Sequence, residues 1–285
     1  MILAQLSDTH ICTAASEDAA GAANWQARAA NLRAAVAAVN ALDRSADAVI
    51  FTGDMVQTQA LGEYELAREI LSGLDAPLYV APGNRDCRAS LRRMFGGAGY
   101  MPGDGDRPII YAVDDHAIRL VAFDTQSGDI RKGDVDAERL AELDRVLTER
   151  PEQPTLLFLH HPPVDVTTSN QPWQYLRREA GDEIAAVVSR HAQVFGLLCG
   201  HSHRDFQSPF AGVPVRTMPS IAIDLRLGDF DQDAEGRPLV FVHRVDGAAG
   251  RIDSAAVVAM PVAHAAMTAG AGGRKGLDEP PSAMG

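Results

Sequence analysis

Cysteine is scarce in this chain of 285 residues: Cys12, Cys87 and Cys199 are an odd set with no CxxC pair. That argues against a disulfide framework, and reduced thiols in a cytoplasmic protein are the expectation. No activating pattern surrounds Cys12 or Cys199, so a nucleophilic cysteine is not expected. No run approaches about 18 consecutive apolar residues, and no basic region followed by a long apolar one opens the chain, so neither membrane spanning nor secretion is expected. Basic charge is in deficit too, with 26 Lys and Arg against 38 Asp and Glu, a net charge of −12. Polynucleotides and anionic membranes need basic patches, so neither partner is expected. A small anionic substrate stays open, because divalent cations can dominate a local field.

What the chain does have is apolar material, 46% hydrophobic against 22% charged residues, without an internal repeat. That suffices for one large domain, expected over residues 1–260. From about Pro261 the sequence turns Ala, Gly and Pro rich, so 261–285 is expected as a disordered tail. Five apolar runs stand out: ILAQLSDTH (2–10), AVIFTGD (48–54), PLYVAPGN (77–84), TLLFLHH (155–161) and VFGLLCGHSH (194–203). Runs of this length, rich in Val, Ile and Leu, read as buried strands. Helical spacing predicts helices over 24–42, 61–74, 87–95, 136–150 (with Asp136 as N-cap) and 182–190, with a loop at 96–108. A hairpin is expected at 109–113 and 118–124, and antiparallel strands at 213–218, 221–227 and 238–245. Parallel units mixed with antiparallel strands point to two sheets packed face to face with helices outside.

Each of the five runs ends on residues that bind metal ions, at the edge where open α/β sheets build ligand sites. Asp8 and His10 form Asp-x-His at the first strand's end. Asp54 follows Gly53 and has two oxygens with which to bridge two cations, although it would also serve as a helix N-cap. Gly83-Asn84-Arg85-Asp86 offers an amide oxygen in a turn that Gly-Asn also favours for its own sake. His160-His161 precedes two prolines, and His201 and His203 form His-x-His after a buried strand. Oxygen and nitrogen ligands without thiolate favour Mn, Fe, Zn or Co. Two such ions sharing a carboxylate suit hydrolysis of a phosphate ester.

The series D-x-H, G-D, G-N-x-D, H-H-P and G-H-x-H from residue 8 to 203, about two-thirds of the chain, resembles the calcineurin-like metallophosphoesterases. The segments HHPP, CGHSHR and TMPSIA are most similar to bacterial class III cyclic-nucleotide phosphodiesterases and related glycerophosphodiesterases. The resemblance implies an α/β fold, a four-layer αββα sandwich of two mixed sheets. It also implies a phosphodiesterase acting on a small phosphodiester by attack of a metal-bridging hydroxide, and a homodimer. One ion would take Asp8, His10 and His203 and the other Asn84, His160 and His201, with Asp54 between them. His161 would then stand behind His160 or exchange with it. Where the family commonly has histidine after the asparagine, this chain has Arg85, which stays protonated and cannot be a general acid. It can hold phosphate oxygens, with Asp86 expected to orient Asn84 or Arg85. Asn84, Arg85 and Asp86 are thus the expected catalytic group, and Asn84, Arg85, His161 and His203 the expected substrate contacts. Trp173 and Tyr175 are candidates to stack on a base. The same G-N-R-D occurs in UDP-diacylglucosamine pyrophosphatases, which keeps a phosphomonoesterase or nucleotide-sugar pyrophosphatase open, as does a non-catalytic scaffold with this fold.

Overall fold

All five apolar runs form strands, and all five strands stop one to three residues short of the first polar candidate. In the computed structural model, residues 1–14, 25–129, 131–226 and 236–260 are described. The tail expected at 261–285 lies outside them. The chain runs β1 (Ile2–Leu6), α1 (Trp25–Asn40), β2 (Ala48–Thr52), α2 (Leu61–Leu71), β3 (Leu78–Ala81) and α3 (Arg88–Phe95). The hairpin β4 (Tyr111–Val113) and β5 (Arg119–Phe123) follows, then α4 (Ala137–Thr148), β6 (Thr155–Leu159), α5 (Glu179–Val188) and β7 (Val194–Cys199). The last strands are β8 (Phe206–Phe210), β9 (Val213–Thr217), β10 (Leu239–Asp246) and β11 (Arg251–Val258).

One sheet has the order β11-β10-β1-β2-β3 and the other β4-β5-β6-β7-β9-β8. β1, β2 and β3 are parallel, as are β5, β6, β7 and β9, while antiparallel strands flank both groups. Side chains alternate across the second sheet, as strand geometry demands. Val121, Phe123, Leu157, Leu159 and Leu197 pack under Leu143 and Leu147 of α4 and Ile184 and Val188 of α5. Leu120, Ala122, Leu156, Phe158 and Leu198 join the core shared with the first sheet and with Ala29, Leu32, Val36 and Val39 of α1. The result is the expected αββα sandwich. Asp136 caps α4 as expected, accepting from the Arg139 amide at 2.8 Å, a contact worth about 1 kcal/mol.

Three elements differ from expectation. No strand forms over the described part of 221–227; a 3-10 turn at Ile223–Leu225 stands there instead. β8 and β11 escape the sequence pattern. Both are sheet edges with half-exposed faces, and Pro209 in β8 is tolerated because an edge strand has one unpaired side.

Behind the site a buried polar chain links the sheets. The Gln5 amide nitrogen donates to Thr52 Oγ1 and to the Cys199 carbonyl, each at 3.0 Å. Its oxygen therefore accepts from His243 Nε2 at 3.0 Å, and His243 Nδ1 accepts from the Ser254 hydroxyl at 2.7 Å. Burial and the Arg216 charge push the His243 imidazole down to about 3. The folded protein thus keeps it neutral, while the unfolded chain takes up a proton below about pH 6.5. Stability must fall as pH falls from 6.5 toward 3. His243→Gln, which preserves a donor and an acceptor, is expected to lose about 2 kcal/mol less than the unsubstituted protein between pH 7 and pH 5 in urea denaturation. Equal losses would mean that His243 is charged or solvated in the fold.

Candidate metal centre

Asp8, His10, Asp54, His201 and His203 all have positive φ, between 44° and 64°. An L-residue enters that left-handed region at a cost of about 1–3 kcal/mol. Among the described residues, only Gln59 and Ala211 share it without being glycine. Strain concentrated on five candidate ligands persists because the strand ends around them hold it. The Asp8 amide donates to the Gly53 carbonyl and the His10 amide to the Asp54 carbonyl, each at 3.0 Å, tying the first two strand ends together.

These residues form two clusters with one carboxylate between them. In the first, His203 Nε2 lies 3.2 Å from Asp8 Oδ1 and 3.3 Å from His10 Nε2. In the second, His160 Nε2 lies 3.0 Å from Asn84 Oδ1 and 3.1 Å from His201 Nδ1. Asp54 turns Oδ1 to His160 Nε2 at 3.4 Å and Oδ2 to His10 Nε2 at 3.6 Å. Asp8, His10, Asp54, Asn84, His160, His201 and His203 thus lie side by side in these two clusters. Asp8 and Asp54 are buried, His160 is fully enclosed, and His201 and His203 keep partial exposure.

Hydrogen bonds on the far sides of the rings fix which nitrogens face inward. His160 Nδ1 donates to the Thr52 carbonyl at 2.7 Å, and His203 Nδ1 to the Leu225 carbonyl at 3.0 Å. Their Nε2 atoms therefore present a lone pair or a second proton to the centre. Two inner nitrogens 3.1–3.3 Å apart cannot both be protonated, and the electrostatics divide accordingly. Against the effect of burial, the Asp54 carboxylate lifts His160 to about 9, and Asp8 raises His203. Burial drives His10 down to about 4 and His201 to about 3. Asp8 and Asp54 are held below the usual carboxylate range despite their burial, chiefly by His203 and His160 respectively. Without cations the two carboxylates draw protons toward the imidazoles that face them, His160 and His203. Divalent cations would displace those protons, and a set of carboxylate, amide and imidazole donors converging in this way fits them.

Other expected residues stand differently. Asp86 is buried, and its carboxylate accepts from the amides of Gly83 at 2.9 Å and Met55 at 3.1 Å. It braces the backbone that carries Asn84 and Asp54 and is not free to touch substrate or orient the Arg85 side chain. Burial and the Asp54 charge push the Asp86 carboxyl up to about 7. His161, expected among the substrate contacts, is fully enclosed, with Nδ1 2.8 Å from Thr125 Oγ1. Gly133 packs so closely that a Cβ there would lie 2.7 Å from the His161 ring. His161 Nε2 has no hydrogen-bond partner, and His161 groups with His160 and His201. Because His160 is the one beside Asn84 and Asp54, it is the better placed of the pair. Arg85 is half-buried, its amide donating to Asp54 Oδ1 at 2.7 Å and its guanidinium 3.5 Å from the Gln57 carbonyl. Neither candidate for base stacking is available. Trp173 packs on Gly181 and donates to the Arg177 carbonyl, and Tyr175 is buried with its hydroxyl on the His161 carbonyl.

Sequence reasoning missed several supports. Ser7 Oγ donates to Asp8 Oδ2 at 2.5 Å. The Gln126 amide donates to the Gly83 and Asp86 carbonyls, at 3.0 and 2.5 Å, from the other sheet. Gln57 Oε1 lies 3.1 Å from His10 Nδ1. Serine before an Asp-x-His motif is a usable signal; nothing in the sequence marks the two glutamines.

Known proteins agree with this geometry. The profile of the calcineurin-like phosphoesterase family matches residues 1–205. The probable glycerophosphodiester phosphodiesterase GpdQ of Arcobacter nitrofigilis is 32% identical over 230 residues, covering 79% of this chain and 82% of its own. The 3′,5′-cyclic adenosine monophosphate phosphodiesterase CpdA of Escherichia coli is 28% identical over 224 residues, covering 78% of this chain and 76% of its own. Among solved structures, a dimetal phosphatase from Danio rerio superposes with a TM-score of 0.62 at 13% identity, over 92% of this chain and 99% of that one. No helix among the described residues is long and apolar enough to cross a membrane. With the motifs, the sandwich and the match over residues 1–205 in agreement, the chain belongs to the calcineurin-like phosphoesterase family.

Proposed function

We propose that this chain hydrolyses a small phosphodiester, of the 3′,5′-cyclic nucleotide or glycerophosphodiester kind, in the cytoplasm. The observation that carries the reading is Asp54, which turns one oxygen to each of two clusters of imidazole and oxygen donors. Asp8, His10 and His203 would hold one divalent ion, and Asn84, His160 and His201 the other, with Asp54 shared. Mn, Fe, Zn and Co all suit these donors. Such a pair, when bound, supplies an ionised water as nucleophile and positive charge for the phosphoryl oxygens.

The chain's own residues do the rest. Asp86 and Gln126 fix the Gly83–Asp86 turn from both sides, which sets Asn84 against His160. Arg85, on the same turn, holds a phosphate oxygen and stabilises charge that builds there. It cannot deliver a proton to the departing oxygen. Diesters with acidic leaving groups should therefore turn over most readily.

A substrate panel with added Mn²⁺ tests this. It comprises bis-p-nitrophenyl phosphate, p-nitrophenyl phosphate, cAMP, a glycerophosphodiester and a nucleotide-sugar pyrophosphate. Diesters are expected to outrun the monoester, and Arg85→Ala to lose at least about tenfold in kcat/KM on them. A dominant rate on the pyrophosphate overturns the diesterase reading. No bound transition metal and no Mn²⁺-stimulated turnover would leave a scaffold. Unchanged kinetics in Arg85→Ala would remove that residue from the substrate site.

A further inference from the structure

Arg28 of α1 is only 2% exposed, and no step above uses it. Its guanidinium reaches in two directions. Nε and Nη2 donate to Asp224 Oδ2 at 3.2 and 2.7 Å, on the 3-10 turn after β9. Nη1 donates to the His10 carbonyl at 3.0 Å and to Gln57 Oε1 at 3.2 Å. A guanidinium has donors only, so Gln57 must present its oxygen, not its nitrogen, to Arg28. That same oxygen lies 3.1 Å from His10 Nδ1. Nδ1 must then carry the proton, which leaves Nε2 facing Asp54 and Asp8.

The other arm acts on the second imidazole. Asp224 anchors its turn to Arg28, and the next residue, Leu225, offers the carbonyl that accepts from His203 Nδ1. His203 Nε2 is thereby aimed at Asp8 Oδ1. One guanidinium sets both rings of the first cluster. It touches neither ring of the second, where His160 is held by the Thr52 carbonyl.

We infer that Arg28, with Asp224 as its counter-ion, is a positioning residue for the Asp8, His10 and His203 side of the centre. It presets both imidazoles for a divalent cation on that side alone. The inference rests on the two-ion reading above.

The test titrates metal-free protein with Co²⁺, followed by calorimetry and visible absorption, after circular dichroism has established folding. The unsubstituted protein is expected to take up two ions. Arg28→Gln and Asp224→Asn should each weaken one binding step about tenfold to a hundredfold and leave the other within about threefold. His160→Ala should weaken the opposite step. Arg28→Lys, which still donates toward Gln57, should recover part of the loss. Ring ¹⁵N shifts of the metal-free protein at neutral pH give a readout free of metal: His10 should hold its proton on Nδ1, and Arg28→Gln should mix the tautomers. Asp224 is about a third exposed, so its Asn variant carries the test if Arg28→Gln does not fold. Unchanged binding with an unchanged tautomer overturns this inference and leaves the two-ion reading standing, and so does equal weakening of both steps. Absence of any ion in the unsubstituted protein overturns both.

Discussion

Asp54→Asn is expected to lower kcat/KM on bis-p-nitrophenyl phosphate roughly a thousandfold or more, about 4 kcal/mol of transition-state stabilisation. The substitution keeps the shape and one oxygen. If that oxygen stays with the Arg85 amide, now 2.7 Å from Oδ1, the new NH₂ group takes the place of Oδ2, 3.6 Å from His10 Nε2. A donor would then stand where the shared ligand is needed, and the centre would lose a full negative charge. Metal content should drop from two ions to one or none, with circular dichroism of the metal-free variant establishing that it is folded. Two retained ions with turnover within about tenfold of the unsubstituted rate would show that Asp54 does not join the clusters.

The strand ends were legible in the sequence for a physical reason. A strand buried on both faces must be an unbroken apolar run, so the first polar residue after it marks a sheet edge, and five such edges carry all seven converging side chains. What holds those side chains was not legible. Gln57 and Gln126 act through side-chain hydrogen bonds between segments tens of residues apart, and no local pattern encodes that distance. Segment 221–227, IAIDLRL, misled because it alternates like a strand. The Ile221 and Ala222 amides instead donate to the Ser7 and Asp8 carbonyls, each at 3.2 Å, and Asp224 is drawn to Arg28. Tertiary partners at the site overrode local period there. Asp86 and His161 show the same cause: Asp86 turns inward to brace the backbone that carries Asn84, and His161 turns to Thr125, directions that adjacency to a ligand in sequence does not encode.

Gly200→Ala is expected to weaken the fold itself. Gly200 does not owe its place to unusual backbone, since its φ is not positive; it is there because the two sheets meet at its α-carbon. A methyl group there would sit 2.6 Å from Asp8 Oδ2, 2.8 Å from the Thr52 carbonyl, and against Ser7 Oγ. None of these is the loose end of a flexible side chain. Asp8 Oδ2 already accepts from Ser7 Oγ and from the His201 amide at 3.0 Å, so it cannot retreat without releasing His201 as well. Overpacking of this kind costs about 3 kcal/mol, which for a chain of this size lowers Tm by roughly 6–12 °C. Displacing Asp8 should also remove the ion shared with His10 and His203, so stability and metal content must fall together. Gly62→Ala in α2, where an added Cβ meets nothing within 4 Å, is the matched control and should keep the metal content and leave Tm unchanged or slightly raised. If Gly200→Ala kept its Tm within about 2 °C and bound two ions, the contact between the ends of β1 and β7 would have to be far looser than its hydrogen bonds allow.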